Sequence, residues 1–185
     1  MEGGRARVIE WGGLAIEGGR IVDVGPWDEV SRRHPRYEKL DLDRHVVMPG
    51  LVNAHHHAAM SLLRGYADDL PLHTWLREKI WPLEAKLTAE IVRAGARLAC
   101  AEMALSGLTC FLDMYLFPSE VARAAAEVGL RAVVACGLFD FFDETLREER
   151  LRFARSFIEE VRGLGSPLVV PALGPHAPYT CSPEL

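Results

Sequence analysis

The chain has 185 residues, 49% of them hydrophobic, and a formal net charge of −5, which suits one globular domain or one and a fraction. The acidic balance and the lack of any basic run with interleaved aromatics argue against a nucleic-acid partner, and no apolar stretch approaches the roughly 20 residues that span a bilayer. The four cysteines form no Cys-x-x-Cys pair, which favours reduced thiols and a cytoplasmic location.

The first 45 residues predict a small β element. Residues 17–20 (EGGR) are typical of a hairpin turn, and residues 21–24 (IVDV) are typical of the strand that follows it. Residues 40–43 (LDLD) alternate in the same way and predict a further strand. A segment of this size cannot bury a substantial core alone.

From residue 46 onward, strands alternate with helices. The first predicted strand ends near His57, and three more cover residues 108–113, 131–136 and 168–173. An irregular helical region follows the first strand, and the predicted helices cover residues 88–106, 118–129 and 146–162. This alternation indicates a parallel sheet with helices outside it.

The four strand–helix units make up half of a (β/α)8 barrel, which needs about 250 residues. In addition, Ser182-Pro183-Glu184 has the composition of a helix start, close to the last residue of the sequence. We therefore expect the N-terminal half of a barrel. The alternative is a complete open α/β domain, which would leave the edge of its sheet bare.

The strongest chemical motif is His55-His56-His57, at the end of the first predicted barrel strand. Side chains at i and i+2 of a strand share a face, so His55 and His57 point together and His56 points away. Two imidazoles presented together suit a divalent metal such as zinc. Functional residues of parallel α/β folds gather at strand ends. The other predicted strand ends carry Asp113, the pair Cys136-Gly137, and His176.

Several segments together resemble a known family. Residues 48–57 (MPGLVNAHHH) resemble the opening signature of the amidohydrolase superfamily. Residues 59–72 (AMSLLRGYADDLPL), 75–76 (WL) and 80–84 (IWPLE) resemble the branch that holds 5′-methylthioadenosine/S-adenosylhomocysteine deaminases and the triazine and N-ethylammeline chlorohydrolases. Residues 174–182 (GPHAPYTCS) look like the fourth-strand motif of that branch. The resemblance covers essentially the whole chain, and it is more specific for the superfamily than for the substrate.

The resemblance implies roles for individual residues. His55 and His57 would be two ligands of one catalytic metal ion, zinc or iron. Glu84 would hold the ribose hydroxyls of a nucleoside, and the alternative for this residue is a charge at a helix start. His176 would hydrogen-bond the purine ring of the substrate, and its alternative is a loop histidine with a local partner. Asp113 either orients a ligand histidine or caps a strand end.

Two further substrate contacts follow from the same resemblance. Trp75 is a candidate to line an apolar pocket, although tryptophan more often packs in the core. Arg147 is an offset counterpart of an arginine that binds the carboxylate of S-adenosylhomocysteine in some deaminases. Those deaminases place a second arginine where this sequence has Cys136. The departure favours 5′-methylthioadenosine or adenosine as the substrate.

The resemblance predicts a metal-dependent (β/α)8 half-barrel in residues 46–185 and part of a small composite β-sandwich in residues 1–45. The predicted reaction is hydrolytic deamination of an adenine nucleoside, a small-molecule substrate, by a homo-oligomeric enzyme. The third metal histidine and the acid–base Glu and Asp are expected beyond Leu185, so this chain alone should be inactive. The alternatives are a triazine-type chlorohydrolase, another amino-heterocycle deaminase, or a non-catalytic half-barrel that binds metal or pairs with another half.

Overall fold

A computed structural model describes residues 7–185 of the chain. The protein forms two compact units, one ending at Val47 and the other comprising Met48–Leu185. The predicted boundary lies two residues earlier, between residues 45 and 46. Among residues 7–185, no helix is long and apolar enough to cross a membrane.

The first unit contains a β-hairpin followed by one short helix. Strands β1 (Gly12–Glu17) and β2 (Arg20–Pro26) are antiparallel, and they pair from the first residue of β1 to its last. Gly18 and Gly19 form the connecting turn, with φ values of 56° and 75° that glycine adopts without strain. Helix α1 (Trp27–Arg33) follows β2 directly. The hairpin turn was therefore correctly predicted.

The strand predicted at residues 40–43 was wrong. These residues have neither helical nor strand structure, and a tight turn follows at Arg44, where φ is 61°. Alternating side chains produce a strand only where a neighbouring strand satisfies the backbone hydrogen bonds. In the part of the chain that the structure describes, the hairpin sheet contains only β1 and β2.

The second unit is built on a four-stranded parallel sheet whose spatial order is the same as the order in the sequence. The strands are β3 (Leu51–His56), β4 (Leu108–Met114), β5 (Arg131–Leu138) and β6 (Val169–Pro175). Parallel neighbours in chain order, joined through helices, are the first half of a (β/α)8 barrel. The predicted fold class is therefore confirmed.

The connections between these strands are helical. After β3 come a 3₁₀ helix (Ala58–Leu63), α2 (Leu72–Trp75), a π-helical turn (Leu76–Ile80), α3 (Trp81–Glu84) and α4 (Ala89–Leu105). Helix α5 (Pro118–Val128) joins β4 to β5, and α6 (Glu144–Gly163) joins β5 to β6. Two of these helices have clear ends: the Thr88 side chain caps the start of α4 by accepting the Ile91 N–H, and Gly129 ends α5 with φ at 82°.

The core lies between the outer face of the sheet and the helices. Large side chains with almost no exposed surface fill it, among them Val92, Phe111, Val121, Val134 and Phe157. Helix α4 approaches the 3₁₀ helix closely, because a Cβ added at Gly95 would lie 2.8 Å from the Ala59 carbonyl oxygen. This contact fixes the segment that immediately follows the histidine motif.

The opposite face of the sheet, which would line the barrel interior, carries small residues around one methionine. A Cβ added at Gly174 would lie 2.6 Å from the Met114 Sδ atom, and one at Gly137 would lie 3.8 Å from the Met114 Cγ atom. The Met114 side chain therefore lies across β5 and β6, in space that their glycines leave open.

Candidate metal and substrate site

His55 and His57 lie side by side at the carboxyl end of β3. Their ring centroids are 5.0 Å apart, and their ring planes are inclined at 78°. His56 projects to the helix side, where it packs edge-on against Phe111 with ring centroids 6.2 Å apart. Burial lowers the pKa of the half-buried His56, and the two neighbouring imidazoles lower it further, which favours its neutral form.

The orientation of His57 is fixed by a backbone group of the neighbouring strand. Its Nδ1 atom lies 2.7 Å from the Met114 carbonyl oxygen, at the end of β4. A carbonyl oxygen only accepts hydrogen bonds, so His57 Nδ1 carries the proton and donates the hydrogen bond. The Nε2 atom then keeps its lone pair, which is the form of imidazole that binds a metal, with the orienting contact that metal-ligating histidines usually have.

The histidine pair is an incomplete ligand set. A catalytic zinc ion is usually held by three protein ligands and keeps an open position for water. Within residues 7–185, no group of three or more His, Cys, Asp or Glu side chains is arranged to hold a metal ion. His55 and His57 can therefore supply two ligands, and a complete site needs further donors.

A cleft of about 360 Å³ opens beside the histidine motif. Its lining consists of the three consecutive histidines and three residues of the following segment: Met60, Ser61 and Arg64. Arg64 forms an ion pair with Glu102 of α4, in which Arg64 Nη2 lies 2.5 Å from Glu102 Oε2. The segment that follows the histidines thus forms one wall of this cleft.

Asp113 anchors the chain immediately after His57. Its side chain is fully buried, and its Oδ1 atom accepts the Ala58 backbone N–H at 2.5 Å. Burial raises the pKa of Asp113 to about 7, against the lowering effect of this hydrogen bond. Its Oδ2 atom has no hydrogen-bond partner among residues 7–185. Of the two roles considered for Asp113, the contacts support that of a cap.

Glu84 is tied to the histidine site through Tyr115. The Tyr115 hydroxyl donates to Glu84 Oε1 at 2.8 Å, and the Tyr115 ring centroid lies 5.8 Å from that of His57. Burial raises the pKa of Tyr115, and the Glu84 carboxylate raises it further, so the phenol remains a donor. The contact leaves Glu84 Oε2 available to accept other hydrogen bonds.

His176 follows β6 and lies at the same end of the sheet as the histidine pair. Its backbone N–H donates to the Leu138 carbonyl oxygen at 3.0 Å, which ties it to the end of β5. Its Nδ1 atom lies 3.0 Å from the Thr180 hydroxyl oxygen. The structure thus brings His55, His57 and His176 to the carboxyl ends of two strands, β3 and β6, and Glu84 lies at the end of α3.

Arg147 is engaged in a buried network. Its Nη1 atom lies 3.5 Å from Asp140 Oδ2, 3.1 Å from Ser182 Oγ and 3.8 Å from Glu184 Oε2. Asp140 has no exposed surface, and although burial alone would raise its pKa, hydrogen bonds from Ser182 and Phe142 and the Arg147 charge hold that pKa below its usual value. The Arg147 guanidinium thus takes part in this network, and its contact with substrate stays a prediction.

Trp75 and Cys136 also have local explanations. The Trp75 indole N–H donates to the Tyr66 carbonyl oxygen at 3.4 Å, and its side chain is half-buried. Cys136 is fully buried, and burial raises the pKa of its thiol. Nothing in these contacts points to a ligand, so the Trp75 contact stays a prediction.

Sequence reasoning missed three residues that organise the site: Tyr115, Asp140 and Thr180. Each follows a strand end or lies in the loop after one, where polar side chains are functional candidates in this fold class. The positional signal was therefore present in the sequence. Their partners, however, lie 31 to 42 residues away or depend on the local fold of a loop.

The parallel half-barrel and the two histidines that its first strand presents on one face identify the class of this protein. It is a (β/α)8 protein with a pair of histidines suited to bind a metal ion. Residues 46–185, more than half of the chain, match the model of the Amidohydrolase family. The chain belongs to this family, which confirms the predicted superfamily. Residues 12–36 match a second model, the imidazolonepropionase-like composite domain of bacteria.

Curated relatives carry deaminase names. A 5′-deoxyadenosine deaminase of Methanocaldococcus jannaschii is 48% identical over 93% of this chain and 40% of its own length. A 5-methylthioadenosine/S-adenosylhomocysteine deaminase of Syntrophobacter fumaroxidans is 51% identical over 97% of this chain and 41% of its own length. The chain thus spans about two-fifths of the length of these relatives.

Solved structures give the same fold. An adenosine deaminase of Xanthomonas campestris with bound zinc superposes with a TM-score of 0.79 at 38% identity, over 91% of this chain and 39% of its own. A variant of the atrazine chlorohydrolase of Arthrobacter aurescens reaches a TM-score of 0.76 at 23% identity, over 93% of this chain and 43% of its own. At that lower identity, the likeness speaks for the fold alone.

The buried carboxyl of Asp113 should make stability depend on pH. The pKa of Asp113 is about 7 in the folded state and 3.8 in the unfolded reference. Its contribution to the free energy of unfolding is therefore fully present below about pH 4 and is lost as the pH rises through 7. Asp113→Asn keeps an acceptor for the Ala58 N–H and cannot ionise. The free energy of unfolding, measured in urea, should therefore fall with rising pH for the original protein relative to the variant. The difference between the two should change by up to about 1.4 kcal/mol per pH unit between pH 4 and 7.

Asp140→Asn is the matched control, because the pKa of Asp140 is shifted downward. Its stability difference from the original protein should stay constant between pH 5 and 8. A pH-independent difference for Asp113→Asn as well would contradict the buried, proton-binding state of Asp113.

Proposed function

We propose that the protein is a metal-dependent hydrolase that deaminates an adenine nucleoside to the corresponding inosine analogue. The observation that carries this proposal is the His55–His57 pair, in which the Met114 carbonyl leaves His57 Nε2 free as a ligand. The names of relatives at 48% and 51% identity support the choice of an adenine nucleoside. Because the chain spans only part of those relatives, the activity is proposed for the complete barrel, and this chain alone should be inactive.

His55 and His57 would hold one divalent metal ion. Zinc is the first choice, since the related adenosine deaminase contains it, and imidazole ligands also suit iron. When bound, such an ion supplies a water molecule acidic enough to act as a nucleophile at neutral pH. The remaining ligands and the proton-transferring Glu and Asp would come from the second half of the barrel.

The residues of this chain would orient the nucleoside. Glu84 Oε2 is left free by the Tyr115 contact, and a carboxylate there would accept hydrogen bonds from the two ribose hydroxyls. His176, at the end of β6, would hydrogen-bond the purine ring. Holding the sugar and the ring separately fixes the amino-bearing carbon relative to the metal, and such positioning is a large part of catalysis.

The surroundings of Arg147 and Cys136 favour a substrate without a carboxylate. Arg147 is committed to Asp140, and Cys136 stands where some deaminases carry a second arginine. The amino-acid tail of S-adenosylhomocysteine would thus lack a cationic partner from these positions. We infer a preference for nucleosides with a small, uncharged 5′ group, such as 5′-deoxyadenosine or 5′-methylthioadenosine.

The remaining features of the proposal concern context. The four cysteines are free thiols, which supports a cytoplasmic location. The match of residues 12–36 to a composite domain supports assigning residues 1–45 to part of a small β-sandwich and residues 46–185 to the barrel. A small-molecule substrate and a homo-oligomer complete the proposal.

The function is tested by the product that the complete, metal-loaded protein releases. We expect ammonia from 5′-deoxyadenosine and 5′-methylthioadenosine, about tenfold lower kcat/KM for S-adenosylhomocysteine, and no chloride from atrazine. One missing charge-assisted contact accounts for a factor of this size. Chloride release without ammonia would replace the deaminase proposal with the chlorohydrolase alternative, and release of neither would contradict both.

Substitution of one histidine should remove metal and turnover together. In His57→Ala the pair loses a ligand that Met114 has oriented, so bound metal measured by elemental analysis should fall below one-tenth of an equivalent. His45→Ala, at an exposed histidine in the first unit, is the control and should keep its metal. Stoichiometric metal in His57→Ala would rule out the ligand assignment.

Tyr115→Phe should weaken recognition of the ribose. Loss of the phenolic donor frees the Glu84 carboxylate to move, so KM for adenosine should rise about tenfold with little change in kcat. Glu84→Gln should act in the same direction. For 2′,3′-dideoxyadenosine, which lacks both hydroxyls, neither variant should differ from the original protein, and an equal loss with this substrate would point to a general packing defect.

A further inference from the structure

We propose that Thr180 is a positioning residue that sets the tautomer of His176, so that His176 presents an Nε2–H donor to the ligand. The inference deepens the proposed function, on which its substrate part rests. Three atoms are available to accept the Thr180 hydroxyl hydrogen: His176 Nδ1 at 3.0 Å, the Ala177 carbonyl oxygen at 3.1 Å and Cys181 Sγ at 3.8 Å.

The Ala177 carbonyl is already satisfied. It accepts the backbone N–H of Thr180 at 3.0 Å and that of Cys181 at 2.9 Å, and a carbonyl oxygen has two lone pairs. Cys181 Sγ is a weak acceptor at its distance, and this thiol itself donates to the Leu138 carbonyl at 3.3 Å. His176 Nδ1 is therefore the best acceptor for the Thr180 hydroxyl, which leaves the ring proton of neutral His176 on Nε2.

Thr180 is held firmly enough to impose this choice. Its side chain is buried, and its carbonyl oxygen accepts the backbone N–H groups of both Asp140 and Phe141 at 3.0 Å. Asp140 in turn accepts the Ser182 N–H at 2.8 Å and the Ser182 hydroxyl. The segment around Thr180 is thus clamped to the end of β5, which fixes the Thr180 backbone beside His176.

An Nε2–H donor selects the chemistry of its partner. It complements an unprotonated ring nitrogen of an aromatic heterocycle, which offers an in-plane lone pair, and it opposes a ring N–H or an ammonium group. The ring nitrogens of a neutral adenine meet this requirement. The orientation of the heterocycle would then depend on Thr180, a residue that need not touch the substrate itself.

The test compares Thr180→Val, which keeps the shape and removes the hydroxyl, with Thr180→Ser, which restores it. The spectroscopic readout is ¹⁵N NMR of histidine-labelled protein without substrate, with the His176 signals assigned through His176→Gln. We expect the Nε2–H tautomer in the original protein and in Thr180→Ser, and a shift toward the Nδ1–H tautomer in Thr180→Val. An Nδ1–H tautomer in the original protein, or no change in Thr180→Val, overturns the inference.

The kinetic readout separates this inference from the proposed function. If the deaminase proposal holds, kcat/KM for 5′-deoxyadenosine should fall about tenfold in Thr180→Val and recover in Thr180→Ser, the size expected for one neutral hydrogen bond. A retained tautomer pattern in a protein without deaminase activity would end the proposed function and leave the role of Thr180 intact. Full activity in Thr180→Val together with the altered tautomer would contradict the substrate part of the inference.

Discussion

The hydrogen bond from His57 Nδ1 to the Met114 carbonyl is the contact on which the candidate site depends. It exists because β3 and β4 are parallel neighbours, and their pairing brings His56 opposite Asp113. That register sets the next residue of each strand, His57 and Met114, side by side. The backbone of β4 thereby decides which nitrogen of His57 can bind a metal, with no additional side chain.

The same two strand ends also serve the core. His56 and Asp113 occupy the helix-facing side, where Asp113 caps the chain after His57 and His56 packs on Phe111. Alternation along a strand separates these two tasks, since neighbouring residues point to opposite faces. Burying the polar atoms of Asp113 and His56 on the helix side lowers stability. The hydrogen bond that Asp113 accepts nevertheless holds the segment after His57 in place.

The fold was predictable from the sequence because its signals are local. Strand–helix alternation, the Thr88 cap and the Gly129 stop each depend on residues close in the chain. The alternation at residues 40–43 misled because a strand also needs a partner strand. In the site, strand geometry alone was enough to predict that His55 and His57 share one face and that His56 points to the other. The Tyr115–Glu84 contact and the capture of Arg147 by Asp140 join residues from different loops, and no short-range pattern encodes them.

The clamp around Asp140 joins the loop after β5 to the loop after β6. The Asp140 carboxylate accepts the backbone N–H and the hydroxyl of Ser182, and the Asp140 backbone N–H donates to the Thr180 carbonyl oxygen. Transplanting either loop alone from a relative would leave a buried carboxylate or a buried hydroxyl without its counterpart, at a cost of about 1–3 kcal/mol for each. The two loops therefore depend on each other structurally. A redesign of substrate specificity at this end of the sheet has to exchange both loops together.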